Sequence, residues 1–452
     1  MEQASKTSKF RISNQLFIGL LFFLGSFFLT LCNSTSQPEP PNVILIMADD
    51  MGYETLSCYG GTSYHTPNLD RLAANGVVFN NSISQPLCTP SRVKIMTGQY
   101  NYRNYNYFGH LGLEAKTFGH LMQDHGYVTC ISGKWQLNGL AYKKQIEDWS
   151  DQTRPQQLGF QEYCLWQLTK ERKEGERFAN ALIEQNGEVL PRNEDIYGPD
   201  VFSQFVLDFI EKNQDQPFFV YYPMVLVHDP FVPTPDSEEW SDPSKRYEAD
   251  TAYFKDMMAY TDKIVGNIAN KLEELDLADN TILIFTGDNG THPTIYSYTK
   301  NGIVRGGKGN TTDAGTHVPL IVNWGKQIKQ PFQYDGLVSF NDFYATFADL
   351  LNVDIETDGQ SFLPVLKEQT IDPYREHLFV HYDPKWGKNV NKFRNQFVRT
   401  QDYKLYQDGK FYNLQEDVLE QHDLSAQGTL SAQEEKIKKA LKAELERHPA
   451  FQ

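Results

Sequence analysis

The chain has 452 residues, a formal net charge of -16 at neutral pH, 40 % hydrophobic residues and 22 % charged ones. That length can bury a large core, and the composition excludes a disordered chain, a collagen and a coiled coil. An acid excess of this size repels polyanions, which argues against a nucleic-acid binder and, at face value, against any phosphate- or sulfate-rich partner.

Residues 1–15 are polar and include Lys6, Lys9 and Arg11, and Leu16 to Leu31 form an apolar run interrupted only by Gly25, Ser26 and Thr30. This is the pattern of an export signal over residues 1–32, since sixteen apolar residues fall short of the roughly 20 that cross a bilayer. Cys32 directly follows, then a polar linker over 33–41, a pattern similar to a bacterial lipoprotein signal; it leaves a lipid anchor open, although Leu31 is bulkier than the residue usual before such a Cys. The expected location is therefore periplasmic, outer-membrane-anchored or secreted. Five cysteines in all are too few for a disulfide scaffold.

Val43 to Met47 (VILIM) is a continuous apolar run, as in a parallel strand buried on both faces, and it ends in Asp49 and Asp50. Helices are expected over Pro67 to Asn75 behind a Thr66 cap, Thr117 to His125, Pro199 to Lys212 and Ala252 to Leu275. Between them fall a weaker strand at Phe218 to Tyr222, ahead of His228, and a second clear one at Thr281 to Phe285, which runs into Asp288 and Asn289. Trp149 to Asn193 is the least regular stretch. Alternation of this kind predicts an α/β fold with a large, mainly parallel sheet sandwiched by helices, and ligands in such sheets gather beyond the carboxyl ends of the strands. After a helix at Asn341 to Leu351 the texture changes to short aromatic-rich strands, at His377 to Tyr382, Gln396 to Thr400, Tyr403 to Tyr406 and Lys410 to Tyr412, followed by a charged amphipathic helix at Ser431 to Arg447. The expected division is a catalytic domain over 42–372 and a C-terminal α+β subdomain over 373–452 with a short antiparallel sheet and a helix.

Two acidic pairs at two strand ends supply three carboxylates and an amide oxygen, a hard-oxygen set suited to Ca2+ or, less well, Mg2+. Cys88 opens the string CTPSR, with Pro90 where a first helical turn tolerates it, so the thiol would stand at a helix N-terminus. Three readings of Cys88 stay open at this point: a small apolar residue beside a turn, an activated thiolate, and part of a modification signal.

The strings NVILIMADDMG, TPNLDRLAANGVVF, CTPSR with MTGQY, GKWQL, and TGDNG with GGKG occur in that order between Asn42 and Pro319. Together they closely resemble the type I sulfatase family, with its alkaline-phosphatase-like fold. The resemblance implies that Cys88 is oxidised after translation to formylglycine by a separate maturation enzyme, and that the formylglycine hydrate is the nucleophile. It implies Asp49, Asp50, Asp288 and Asn289 as ligands of one calcium ion, completed by an oxygen on residue 88. Arg92 would hold the formylglycine, Lys134 and Lys308 would grip sulfate oxygens, and His228 would stand beside the leaving group.

Two positions depart from the family pattern. Gln136 replaces the His of GKWH, and an amide cannot exchange a proton near neutral pH. The string DAGTH at Asp313 to His317 replaces an acidic residue, two glycines and a basic residue. Export and 25 tyrosines suit a sulfated carbohydrate substrate, and Arg103, Asn104, His110, His292, His317 and His377 are polar residues expected in cleft loops, of which Arg103, His292 and His317 are candidate sugar contacts. A phosphonate or phosphodiester hydrolase of the same superfamily, or a catalytically weak protein that binds sulfated glycans, are the alternatives.

Overall fold

Asn42–Ala48 (β1) is buried along its whole length and occupies the middle of an eleven-stranded sheet. In this computed structural model the described residues are 1, 40–325, 327–426 and 428–451; the expected leader and Cys32 lie outside them. The other main strands are Val77–Ile83 (β2), Val128–Lys134 (β3), Glu162–Trp166 (β4), Phe218–Pro223 (β5), Thr281–Gly287 (β6), Leu320–Asn323 (β7) and Phe332–Ser339 (β8). Their order is β8-β2-β7-β6-β1-β5-β3-β4, with Ile183–Gln185 and Glu188–Val189 beyond β4 and His317–Val318 against β2. β1 pairs in parallel with β5 and β6, and β3 with β5 and β4, whereas β7 runs antiparallel between β2 and β6. The sheet is thus mixed and mainly parallel at its centre.

Alternate side chains of β1 enter different cores, as period-2 geometry requires. Val43, Leu45 and Met47 pack on one face with helices Cys88–Thr97, Phe118–Asp124 and Asp342–Leu350, while Ile44, Ile46 and Ala48 pack on the other with Pro67–Ala74, Gly198–Lys212 and Phe254–Glu274. The first helix starts where expected but is capped differently. Thr66 makes no side-chain cap; instead Asp262, from the neighbouring helix Phe254–Glu274, accepts the backbone N–H groups of Asn68 (3.1 Å) and Leu69 (2.8 Å). At the end of β3, Gly133 has φ +108°, and a Cβ there would lie 2.1 Å from the Pro223 carbonyl oxygen, so only glycine lets β3 and β5 close up beside the site.

The C-terminal sheet, Leu378–Tyr382 (β9), Asn395–Arg399 (β10), Tyr403–Tyr406 (β11) and Phe411–Asn413 (β12), is antiparallel throughout. One face, with Phe379, Val398 and Leu405, packs on Leu441 of helix Ala432–Leu445, which Ser431 opens with a reciprocal capping box to Glu434. The other face, with Val380, Tyr382, Phe397 and Tyr406, packs on Leu87, Cys88 and Phe108. Arg399 to Asp313 (2.5 Å) joins the two parts as a buried ion pair, and Lys404, paired with Glu420 within the subdomain (2.8 Å), also donates across to the Thr311 carbonyl.

Helix Cys88–Thr97 is buried at every residue, including Lys94, whose ammonium makes no hydrogen bond. Burial pushes this amine down to about 7 from 10.5. Between those two values the native state holds fewer protons than the unfolded chain, so stability rises with pH across that window. Lys94→Met is therefore expected to raise the unfolding free energy by about 3 kcal/mol below pH 7, the gain fading toward pH 10. Urea titrations at several pH values check this.

Candidate active site

The site is assembled at the carboxyl ends of three neighbouring central strands, where backbone hydrogen bonds fix the loops. The Asp288 N–H donates to the Ala48 carbonyl (2.9 Å), the Asp49 N–H to Leu226 (2.8 Å) and the Val227 N–H back to Asp49 (2.8 Å), which ties the His228 loop to the end of β1. The Gly309 N–H donates to Pro86 (2.8 Å), which sets the Lys308 loop against the entry to the Cys88 helix. Gly290 allows the Ala314 carbonyl to approach, since a Cβ there would meet that oxygen at 1.9 Å.

Asp49, Asp50, Asp288 and Asn289 are all fully buried. Lys134 Nζ donates to both oxygens of Asp49 (2.9 and 2.7 Å), and Lys308 Nζ to Asp50 Oδ2 (2.5 Å). The Asp50 N–H donates to Asp288 Oδ1 (3.0 Å), and Asn289 Nδ2 to Asp50 Oδ1 (2.9 Å). Asp288 Oδ2 and Asn289 Oδ1 are buried without a hydrogen-bond partner, and one oxygen from each of Asp49 and Asp288 lies within 4.8 Å of the other and of Cys88 Sγ. Burial and the neighbouring Asp49 push Asp288 up to about 8, while Lys134 overcomes burial to hold Asp49 well below its ordinary range. Buried carboxylates that repel one another and present unpartnered oxygens are the donor set a hard divalent cation satisfies. The residues present therefore fit the metal that the sequence implies.

Cys88 is the first residue of its helix and is 3 % exposed. Burial, with Asp49 and Asp288, pushes the thiol up against the pull of Lys134 and Lys308, so the reading as an activated thiolate does not hold. Its S–H points to Gln136 Oε1 at 3.7 Å. Arg92, one turn on, donates from Nη1 to the Lys134 carbonyl (2.6 Å) and lies 3.5 Å from Asp288 Oδ2. His228 Nδ1 faces the Asp229 carbonyl (2.7 Å) and Oδ1 (2.9 Å), and Lys308 Nζ, which can only donate, meets Nε2 at 2.9 Å. That pattern assigns the neutral Nδ1–H tautomer. Burial together with Lys308 and Arg177 pushes this imidazole down to about 4, against Asp50.

The candidate sugar contacts behave differently. Arg103 is paired with Asp358 through Nε and Nη2 (2.9 Å each) while its side chain stays 48 % exposed, and His317 sits between Asp313 (3.0 Å) and the Asn80 carbonyl (2.7 Å), stacked on Tyr53, so that both its ring nitrogens are committed to the fold. His292 bonds Thr294 Oγ1 at 2.8 Å. Sequence reading missed Arg177, whose Nη1 lies 3.8 Å from Asp49 Oδ2, and Gln167 beside Gln136; it lies in the irregular stretch, where no motif marks it. Three residues just past strand ends, Asp50 (φ 63°), Gln136 (φ 52°) and Gln167 (φ 60°), adopt left-handed backbone, and this is a local signature of strain near a site.

The sulfatase family model matches residues 41–353, and that of the N-sulphoglucosamine sulphohydrolase C-terminal region matches 308–449. N-acetylgalactosamine-6-O-sulfatase of Bacteroides thetaiotaomicron is 31 % identical over 413 residues, covering 74 % of this chain and 78 % of that one. A solved Bacteroides thetaiotaomicron structure from work on the metabolism of multiple glycosaminoglycans superposes with a TM-score of 0.71 at 24 % identity, over 90 % of this chain and 99 % of that one. The phosphonate monoester hydrolase of Agrobacterium radiobacter shares the fold, with a TM-score of 0.66 at 18 % identity over 90 % and 95 % of the two chains. A hydrolase with an alkaline-phosphatase-like fold and an acidic cluster at its strand ends that could hold a metal ion is thus defined. The chain belongs to the type I sulfatase family, and its activity is that of a sulfuric ester hydrolase.

Proposed function

We propose that this enzyme is a calcium- and formylglycine-dependent sulfatase that removes sulfate monoesters from sulfated carbohydrates outside the cytoplasm. The observation that carries the reading is the convergence of Cys88, in CTPSR context, on Asp49 and Asp288 within 4.8 Å, with unpartnered oxygens on Asp288 and Asn289. Asp49, Asp50, Asp288 and Asn289 would hold the cation, whose charge polarises the sulfate, and oxidised residue 88 would supply the hydroxyl nucleophile after maturation by a partner enzyme. Arg92 orients residue 88 from the next helical turn. Lys134 and Lys308 are the ammonium groups placed to neutralise charge that builds up on sulfate oxygens as the S–O bond breaks. Gln136, with its amide beside Cys88, can orient a hydroxyl there but cannot act as a base.

Proton delivery to the leaving oxygen falls to the Lys308–His228 pair. In the resting site the shared proton rests on Lys308, which Asp50 holds above its ordinary range, and Nε2 of His228 is its acceptor. An approaching sulfate ester favours the protonated imidazole, which then donates to the departing alkoxide. His228→Ala should therefore lower kcat/KM by about 10^2–10^3-fold on sugar sulfates, yet by no more than about tenfold on 4-nitrophenyl sulfate, whose phenolate needs no proton. Similarity to the N-acetylgalactosamine-6-O-sulfatase favours an amino-sugar or related sulfated saccharide as substrate. Sulfate release from sulfated mono- and oligosaccharides with resolved sulfation positions tests the function. Faster turnover of a matched aryl phosphonate than of the aryl sulfate would overturn it.

A further inference from the structure

Arg177 has no part in the chemistry above, yet its guanidinium is inside the site. It is 2 % exposed, its plane lies over the Trp166 ring with 4.3 Å from Cζ to the ring centre, and its Nη1 stands 3.8 Å from Asp49 Oδ2, beyond hydrogen-bond reach. Nε and Nη1 are buried without a partner. Desolvating a guanidinium and leaving two of its nitrogens unsatisfied is costly, and an arginine pressed against an indole has few ways to relieve that cost by moving. Gln167, which follows Trp166 in left-handed backbone at the end of β4, also buries its Oε1 without a partner.

Besides Asp49, the carboxylates near enough to act on Arg177 are Asp229 and Asp50, the two that flank His228, and the cation Arg172 acts on it as well. Four carboxylates (Asp49, Asp50, Asp288, Asp229) face four fixed cations (Arg92, Lys134, Lys308, Arg177). A bound divalent cation leaves the pocket two charges positive, and a sulfate monoester cancels only one of them. We propose that Arg177 is a specificity-determining residue that binds a second anionic group, a carboxylate or another sulfate, carried by the saccharide part of the substrate. The inference rests on the sulfatase reading. An arginine suits this task because its planar fork matches both oxyanions bidentately, which an ammonium cannot.

The test compares mature, cation-loaded wild type with Arg177→Gln and Arg177→Lys on four substrates: a neutral monosulfated sugar, the same sugar with a neighbouring carboxylate, the same sugar with a second sulfate, and 4-nitrophenyl sulfate. The readout is the ratio of kcat/KM on each doubly charged sugar to that on the neutral monosulfated one, so that any general loss of folding or metal affinity cancels. In Arg177→Gln this ratio should fall at least about tenfold on one of the two doubly charged substrates, which identifies the group, with Arg177→Lys in between. Ratios within about threefold of wild type on both would overturn the inference. Calorimetric binding of the same sugars to the non-turning Cys88→Ala form should show the same contrast, and equal affinities with and without Arg177 would also overturn it. Absence of sulfate release by wild type from all four substrates would instead sink the sulfatase reading itself.

Discussion

Replacing Cys88 by alanine is expected to abolish sulfate release, by ~10^4-fold or more, while leaving the fold in place. Cys88 contributes one small side chain to the contact between its helix and the C-terminal sheet, and the thiol makes a single weak hydrogen bond, to Gln136. Its removal should cost only about 1–2 kcal/mol of stability. The loss of activity comes instead from deleting the atom from which the nucleophile is made. The fold leaves no substitute: the thiol is buried and pushed up, and among the described residues Cys58, Cys130 and Cys164, the other free thiols, are not among the candidate metal ligands that include Cys88. A variant that kept wild-type turnover with the melting curve unchanged would show that the site works without residue 88.

Removal of the divalent cation should have an effect of similar size. Dialysis against a chelator is expected to reduce sulfate release to background, and Ca2+ to restore it. The same dependence should appear without any substrate. A cation that binds only the native state stabilises it by about 2.7 kcal/mol at one hundred times its Kd, so calcium should raise the Tm of wild type. Asp288→Ala should lose both responses, with turnover down by ~10^3-fold or more, because Asp288 and Asp49 are the two carboxylates that converge with Cys88. In the absence of cation that variant should be no less stable than wild type, since it relieves the repulsion that pushes Asp288 up to about 8. Equal thermal shifts in the two proteins would place the cation elsewhere.

Much of this was legible because the local pattern and the site coincide. VILIM and, after Thr281, ILIF are apolar without interruption because both faces of a central strand are covered, and the polar residues that follow mark the strand ends where ligands bind. What stayed hidden depends on contacts between distant segments. Thr66 is a good cap by type, but Asp262 takes the helix N–H groups from nearly two hundred residues away. His317 and Arg103 are polar residues expected in loops, but His317 opens a short strand and Arg103 lies in the helix Asn101–Asn104, and only the fold reveals that Asp313 and Asp358 pair with them. Arg177 lies in the stretch with the least regular pattern and is made significant by Trp166 and Asp49, neither of which is near it in a motif. Left-handed backbone at Gln136 and Gln167 has no sequence signal at all, since glutamine is not a residue that usually adopts it.

The acid excess of the chain also takes on a different meaning. A charge of -16 acts across the whole surface, and three of those carboxylates are turned inward, where Arg92, Lys134, Lys308 and Arg177 surround them. Net charge therefore speaks against tracking along a polyanion, not against holding a sulfate, with or without a second anionic group, in a small cationic pocket.

The most direct measurement is inorganic sulfate released from a sulfated saccharide by the protein produced with a formylglycine-generating enzyme, with the peptide that contains residue 88 analysed by mass spectrometry in the same sample. Sulfate release in proportion to the fraction of residue 88 in the aldehyde form is the expected result. Full oxidation of residue 88 with calcium bound but no sulfate released from any sulfated sugar or aryl sulfate, or undiminished release from protein whose Cys88 is entirely unmodified, would contradict it.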